Sequence, residues 1–174
     1  MIDIIFPSAL KGIDDNFLKK LKIKKLFLME KATQESLVSV ETSVLKREDY
    51  VVFEDISSFH RMLFMKRPRL VFFHPIYRMK VDYSTVNIIK ENDKIPCLFF
   101  SDFIDNFEKS FKNALKLAKF AKKKKLEVFV FSGGKEKEHL RPLWNYKYLL
   151  MSLGFNEEQA NRFLKREVMF FENY

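Results

Sequence analysis

The feature that most constrains this chain is a recurrence. A short β-type apolar run followed by a helical or turn-like stretch returns again and again along its length. The runs are Asp3–Phe6, Leu26–Met29, Leu37–Val44, Tyr50–Glu54, Leu70–His74, Pro96–Phe100, Glu127–Phe131 and Glu167–Phe171. Between them the spacing predicts helices over Asp14–Lys22, Ser57–Arg67, Ser84–Asn92, Ile104–Lys124, Pro142–Leu153 and Asn156–Lys165. Pro142 opens one of these and Gly154 closes it, while Asn156 and Gln159 have the spacing of a capping box. Strands alternating with helices build parallel βαβ units, and eight of them point to a (β/α)₈ barrel. The chain has 174 residues, fewer than such barrels usually need, and the links at 30–36 and 45–49 are too short for crossover helices. The expected fold is therefore α/β, a trimmed (β/α)₈ TIM-barrel-like single domain over residues 1–174.

Composition narrows the function classes. The longest apolar runs, LVFF and PCLFF, are only strand-sized, so none crosses a bilayer, and Asp3 interrupts the first apolar run, against a secretory signal. The single Cys97 permits no internal disulfide, which suits a cytoplasmic location. Its hydrophobic flanks read as a buried filler, not a nucleophile. The 32 basic residues exceed the 23 acidic ones by nine. Such an excess favours a polyanionic partner, although a Lys-rich, Phe-rich chain also reflects an AT-rich genome.

In a parallel barrel the working residues gather at the C-terminal rim of the strands. Here that rim carries Pro7-Ser8, Glu30, Glu54-Asp55, His74-Pro75, Ser101-Asp102 and Ser132-Gly133-Gly134. The chain has three histidines, His60, His74 and His139, in no metal-binding spacing. No catalytic and no metal-ligating residue is expected. The alternative is a metal-dependent phosphoesterase built on His74 with the rim carboxylates Glu54 and Asp102.

Three basic features suit nucleic acid better. Ser132-Gly133-Gly134 leaves a strand in a turn able to offer backbone N–H groups to phosphate, or is an ordinary βα turn. Lys135, Lys137 and Arg141 follow it, and Arg61 belongs to another basic cluster. The stretch KSFKNALKLAKFAKKKK, 109–125, holds eight lysines and no acid. At 100° per residue Lys112, Lys116, Lys119 and Lys123 form one ridge, while Phe107, Phe111, Ala114, Ala118 and Ala121 fall opposite. A lysine ridge is usually a solvated face, but nothing neutralises this one, and a phosphate-contact surface is the favoured reading.

The ending, VFVFSGG…LRPLWNYKYLLMSLGFNEEQANRFLKREVMFF, resembles the ribonuclease P protein component 3 family of archaea and eukaryotes. Ser132, Gly133, Arg141, Pro142, Leu153, Gly154, Glu158 and Ala160 stand at its matching positions. The opening MIDIIFPS resembles the family's first strand, with Ile5 and Pro7 where the related PHP phosphoesterases carry metal-binding histidines. The resemblance departs at Gly133-Gly134, where Ser or Ala is commoner, and at Arg141-Pro142, which are adjacent. It implies a PHP-like barrel that is a subunit of an endoribonuclease removing the 5′ leader from precursor tRNA. Catalysis would belong to the RNA and its Mg²⁺, with no cofactor on this chain. The implied partners are ribonuclease P RNA, the component 2 protein and other ribonuclease P proteins, with precursor tRNA met indirectly and no membrane.

Overall fold

The computed structural model describes residues 2–10, 13–29, 41–44, 50–53 and 69–172. Strands β1 (Ile2–Ile5), β2 (Lys25–Leu28) and β3 (Glu41–Val44) pair in chain order, and β4 (Tyr50–Phe53), β5 (Leu70–Phe73), β6 (Ile95–Phe99) and β7 (Phe129–Phe131) form a second sheet in the same way. Every pairing is parallel. The two sheets meet where β7 returns to β1. Gly133 N donates to Ile4 O and Phe6 N to Gly134 O, each at 2.9 Å. Between β3 and β4 no pairing is present among the described residues, so the complete eight-stranded barrel expected from the sequence is not formed by them.

Side chains alternate between two layers, as the period of two in a strand requires. Leu70, Phe72, Cys97, Phe99, Phe129 and Phe131 point to an interior that also receives Ile4 and Phe27 from the first sheet. Val71, Phe73, Leu98 and Val130 face the outer helices. Those helices are α2 (Tyr83–Glu91), α4 (Phe107–Lys124), α5 (Leu143–Ser152) and α6 (Glu157–Glu172). On the other side α1 (Asp15–Leu21) covers β1 and β2 through Leu18, Ile5, Leu26 and Leu28. Cys97 is buried and burial pushes its thiol pKa well up, as a filler requires.

The last expected strand is a correction. Glu167–Phe171 continues α6, which runs from Glu157 to Glu172 without a break. Ala160, Phe163, Leu164, Glu167 and Phe171 are its buried positions, a spacing of three and four that belongs to a helix. No Gly or Pro stands between 157 and 172 to stop it. Phe171 enters the interior, its ring centroid 4.7 Å from Phe27 and 5.8 Å from Phe131. One ring thus ties both sheets together at the place where an eighth strand was expected.

Smaller differences have local causes. The helix expected over Ile104–Lys124 divides into a short α3 (Ser101–Asp105) and α4, because Asn106 leaves helical geometry and its side chain accepts the Lys109 N–H. Pro142 sits one position before α5 rather than inside it. Asn156 and Gln159 do form the capping box, with reciprocal bonds of 2.8 and 3.0 Å. The helix expected over Ser57–Arg67, the start of the strand expected from Leu37, Glu30, Glu54 and Arg61 lie outside the described residues.

Candidate nucleic-acid interface

At the rim, the seam turn is built around a carboxyl. Asp3 is fully buried, and its Oδ1 accepts the backbone N–H of Ser132 and of Ile4, both at 2.8 Å. Its Oδ2 accepts the Ser132 hydroxyl at 2.5 Å and the Tyr146 hydroxyl at 3.1 Å. Burial outweighs these bonds and lifts the Asp3 pKa up to about 6. Ser132, Gly133 and Gly134 are all buried, and the N–H groups of Ser132 and Gly133 are engaged by Asp3 and Ile4. Two of the three donors expected to face phosphate are therefore used inside the protein.

The seam is closed lower down by a second carboxyl. Glu167 accepts the Val130 N–H, and burial together with the nearby Asp3 charge holds its pKa well above the ordinary carboxylate value. Its Oε2 has no hydrogen-bond partner among the described residues. Asp3 and Glu167 thus take the N–H groups of Ser132 and Val130 that a neighbouring strand would otherwise have taken.

His74 also sits on the rim. Its Nδ1 lies 2.8 Å from Asp102 Oδ1, and Asp102 Oδ2 accepts the Ile76 N–H at 2.9 Å. Phe6 and Phe99 flank the ring at 5.6 and 5.2 Å. This leaves His74 one ring nitrogen for any other contact. Among the described residues no three His, Cys, Asp or Glu side chains form a metal-sized cluster.

The basic residues singled out in sequence are spread over separate places. Lys135 and Lys137 are exposed, with the Lys135 ammonium 5.6 Å from the centre of the Phe6 ring. Arg141 is half-buried, donates to the carbonyls of Glu138 and Leu140, and lies 5.8 Å over Phe100. Lys112, Lys116, Lys119 and Lys123 are all exposed along α4, opposite the buried Ala114, Leu117, Ala118 and Ala121. Phe107, expected on the buried side, is 63% exposed and stacks on Phe111 at 5.4 Å. Phe120 packs edge-on against Tyr83 at 5.7 Å.

A second concentration of charge was not anticipated, although Arg166 in it is paired with Glu127 at 3.4 Å. At the opposite end from the rim lies a cleft of about 860 Å³ whose walls carry Arg69, Lys90, Lys94, Lys122, Lys125, Arg162 and Arg166 against only Asp93 and Glu127. Parallel topology explains the gathering. Arg69 precedes β5, Lys94 precedes β6 and Lys125 precedes β7, so all three stand at strand N-terminal ends. Lys90 and Lys122 occupy the last turns of α2 and α4, where the helix dipole favours a cation. Arg162 and Arg166 come from α6. Lys94 is only 2% exposed, and burial with the adjacent Arg69 charge pushes its ammonium pKa down. A concave wall of like charge focuses its field on an anion. One sequence signal could have found it: each of these strands is preceded within a few residues by a cation.

The fold resembles that of a chain in archaeal ribonuclease P. That chain belongs to a cryo-EM structure of archaeal ribonuclease P with mature tRNA, and it superposes with a TM-score of 0.73 at 12% sequence identity. The match covers 97% of this chain and 89% of the ribonuclease P chain. No protein-family model and no curated protein matches the sequence.

Proposed function

We propose that this chain is a protein subunit of ribonuclease P, of the component 3 type, which removes the 5′ leader from precursor tRNA as part of a ribonucleoprotein. The observation that carries the reading is the likeness of nearly the whole chain to one in archaeal ribonuclease P. The cationic cleft supports it, since a phosphate backbone is the partner such a surface fits. In this reading the RNA and its Mg²⁺ perform the cleavage. The chain, paired with the component 2 protein, braces the folded RNA by neutralising phosphates with its Lys and Arg side chains. Shape and charge then govern recognition more than base identity.

Reconstitution tests the proposal. Precursor tRNA is cleaved by the cognate RNA with component 2 and the remaining proteins, with and without this chain, at low magnesium. Omission is expected to lower the cleavage rate, and equal rates would refute the role.

The rival, a PHP-like phosphoesterase, draws on the Asp102-oriented His74 at the rim. Turnover of a chromogenic phosphoester by the purified chain, with stoichiometric bound metal and no RNA, would favour it.

A further inference from the structure

We infer that Arg162, Arg166 and Arg69 form a ladder that grips consecutive phosphates of one RNA strand through their guanidinium forks. This rests on the ribonuclease P reading and names the residues and the kind of contact within the cationic cleft, which charge alone does not specify.

The ladder follows from the helical period. Arg162, Arg166 and Phe170 stand four apart on α6, so they share one column. Arg69, from the segment before β5, lays its guanidinium 5.8 Å from the centre of the Phe170 ring and so supplies the third rung. Each step of four residues advances about 6 Å along a helix, comparable to the step between neighbouring phosphates of a strand. All three arginines are exposed. The cleft they line continues into a groove of about 320 Å³ that shares Arg69 and Arg166 with it. Glu158, one turn before Arg162, lies outside both linings and bounds the column at that end.

The lysines of the cleft play a different part. Lys122 is committed to Gly154 O at 2.6 Å. Lys94 is only 2% exposed, so it acts through its charge and not by direct contact. Strand register sets it beside Arg69: Leu70 and Ile95 are partners, and the Ile95 N–H donates to Arg69 O at 2.8 Å. A guanidinium is planar and meets two phosphate oxygens at once, whereas an ammonium acts as a point charge. The middle rung already holds an anion. Arg166 Nε lies 3.4 Å from Glu127 Oε2, just before β7, so a carboxylate occupies the place that a phosphate would take. Seven cations against Asp93 and Glu127 make a polyanion the fitting occupant, and Glu127 is the group it displaces.

Charge-preserving variants separate forks from a diffuse field. RNA affinity of the full chain is measured by filter binding over a salt series, with melting temperatures as the check on folding. Arg69→Lys, Arg162→Lys and Arg166→Lys together are expected to weaken binding roughly tenfold or more at an unchanged salt slope, and Arg162→Lys alone to show part of that loss. Glu127→Gln is expected to strengthen binding roughly two- to fivefold, since a competing carboxylate is gone. Inorganic tripolyphosphate, with its phosphates in a row, is expected to raise the melting temperature and to be displaced by RNA. Undiminished affinity in Arg162→Lys or in the triple variant, or no gain in Glu127→Gln, would overturn the ladder. Tripolyphosphate that RNA does not displace would overturn its assignment to RNA. If reconstituted cleavage still requires the chain after any of these results, the ladder alone is refuted and the subunit reading stands.

Discussion

Asp3 and Ser132, 129 positions apart in sequence, are joined through both carboxyl oxygens of Asp3, one to the Ser132 N–H and the other to its hydroxyl. This pair holds the first strand to the last. It also makes the closure sensitive to proton concentration, because the carboxyl is buried and ionises only at about 6.

The first prediction follows from that value. An acid whose folded-state pKa lies above its unfolded value favours the folded state while protonated. The stabilisation is complete below the unfolded value of about 3.9 and is lost as pH rises through about 6. Unfolding free energy is expected to fall by about 3 kcal/mol across that interval, and the raised pKa of Glu167 carries the decline further upward. Denaturant titrations of Asp3→Asn, which keeps an acceptor for the Ser132 N–H, should show a flatter profile between pH 4 and 7.

A second prediction concerns the chain's end. Phe171→Ala is expected to cost about 3–5 kcal/mol, since a ring shared by both sheets is removed from a packed interior. Met169→Ala, at an exposed position, should cost under about 1 kcal/mol. A strand would place 167, 169 and 171 on one face. Comparable losses for both substitutions, read by thermal melts, would contradict the helix.

Gly133→Ala is expected to lose at least about 2 kcal/mol. Its φ is +58°, and an added Cβ would stand 2.2 Å from Phe99 Cγ. Gly154→Ala, with φ +91° but nothing nearer than Lys122 Nζ at 3.7 Å, should lose only about 1–2 kcal/mol. Differential scanning calorimetry of the two variants measures the contrast.

The basic surfaces can be ranked by salt dependence. Replacing Arg69, Arg162 and Arg166 of the cleft by Gln should reduce the slope of log K against log salt for RNA by about two. Replacing Lys112, Lys116, Lys119 and Lys123 by Gln removes more formal charge but from a convex helix. The cleft variant is expected to lose more affinity, because a concave site focuses the field. Filter binding from low to moderate salt distinguishes them.

The fold was legible where local chemistry and tertiary context agree. Seven of the eight expected strands overlap observed ones, since alternation such as Leu70-Val71-Phe72-Phe73 between two apolar layers leaves little other choice. The segment Glu167–Phe171 misled because Val, Met and Phe suit a strand, and only its register with Ala160 and Phe163 shows the helix. The α4 ridge was readable because its lysines are close in sequence. The cleft was not, because its cations lie between 69 and 166 and only parallel topology collects them at one end. The Ser132 turn looked open to an anion for the same reason: Asp3, which engages it, is at the far end of the chain.

Phe171 packs against Phe27 of the first sheet and Phe131 of the second, in a cluster that also holds Phe72 and Phe99, and this has a consequence for how the molecule moves. The last described turn of α6 acts as a shared keystone: the two sheets cannot shift against each other without disturbing one close-packed set of rings.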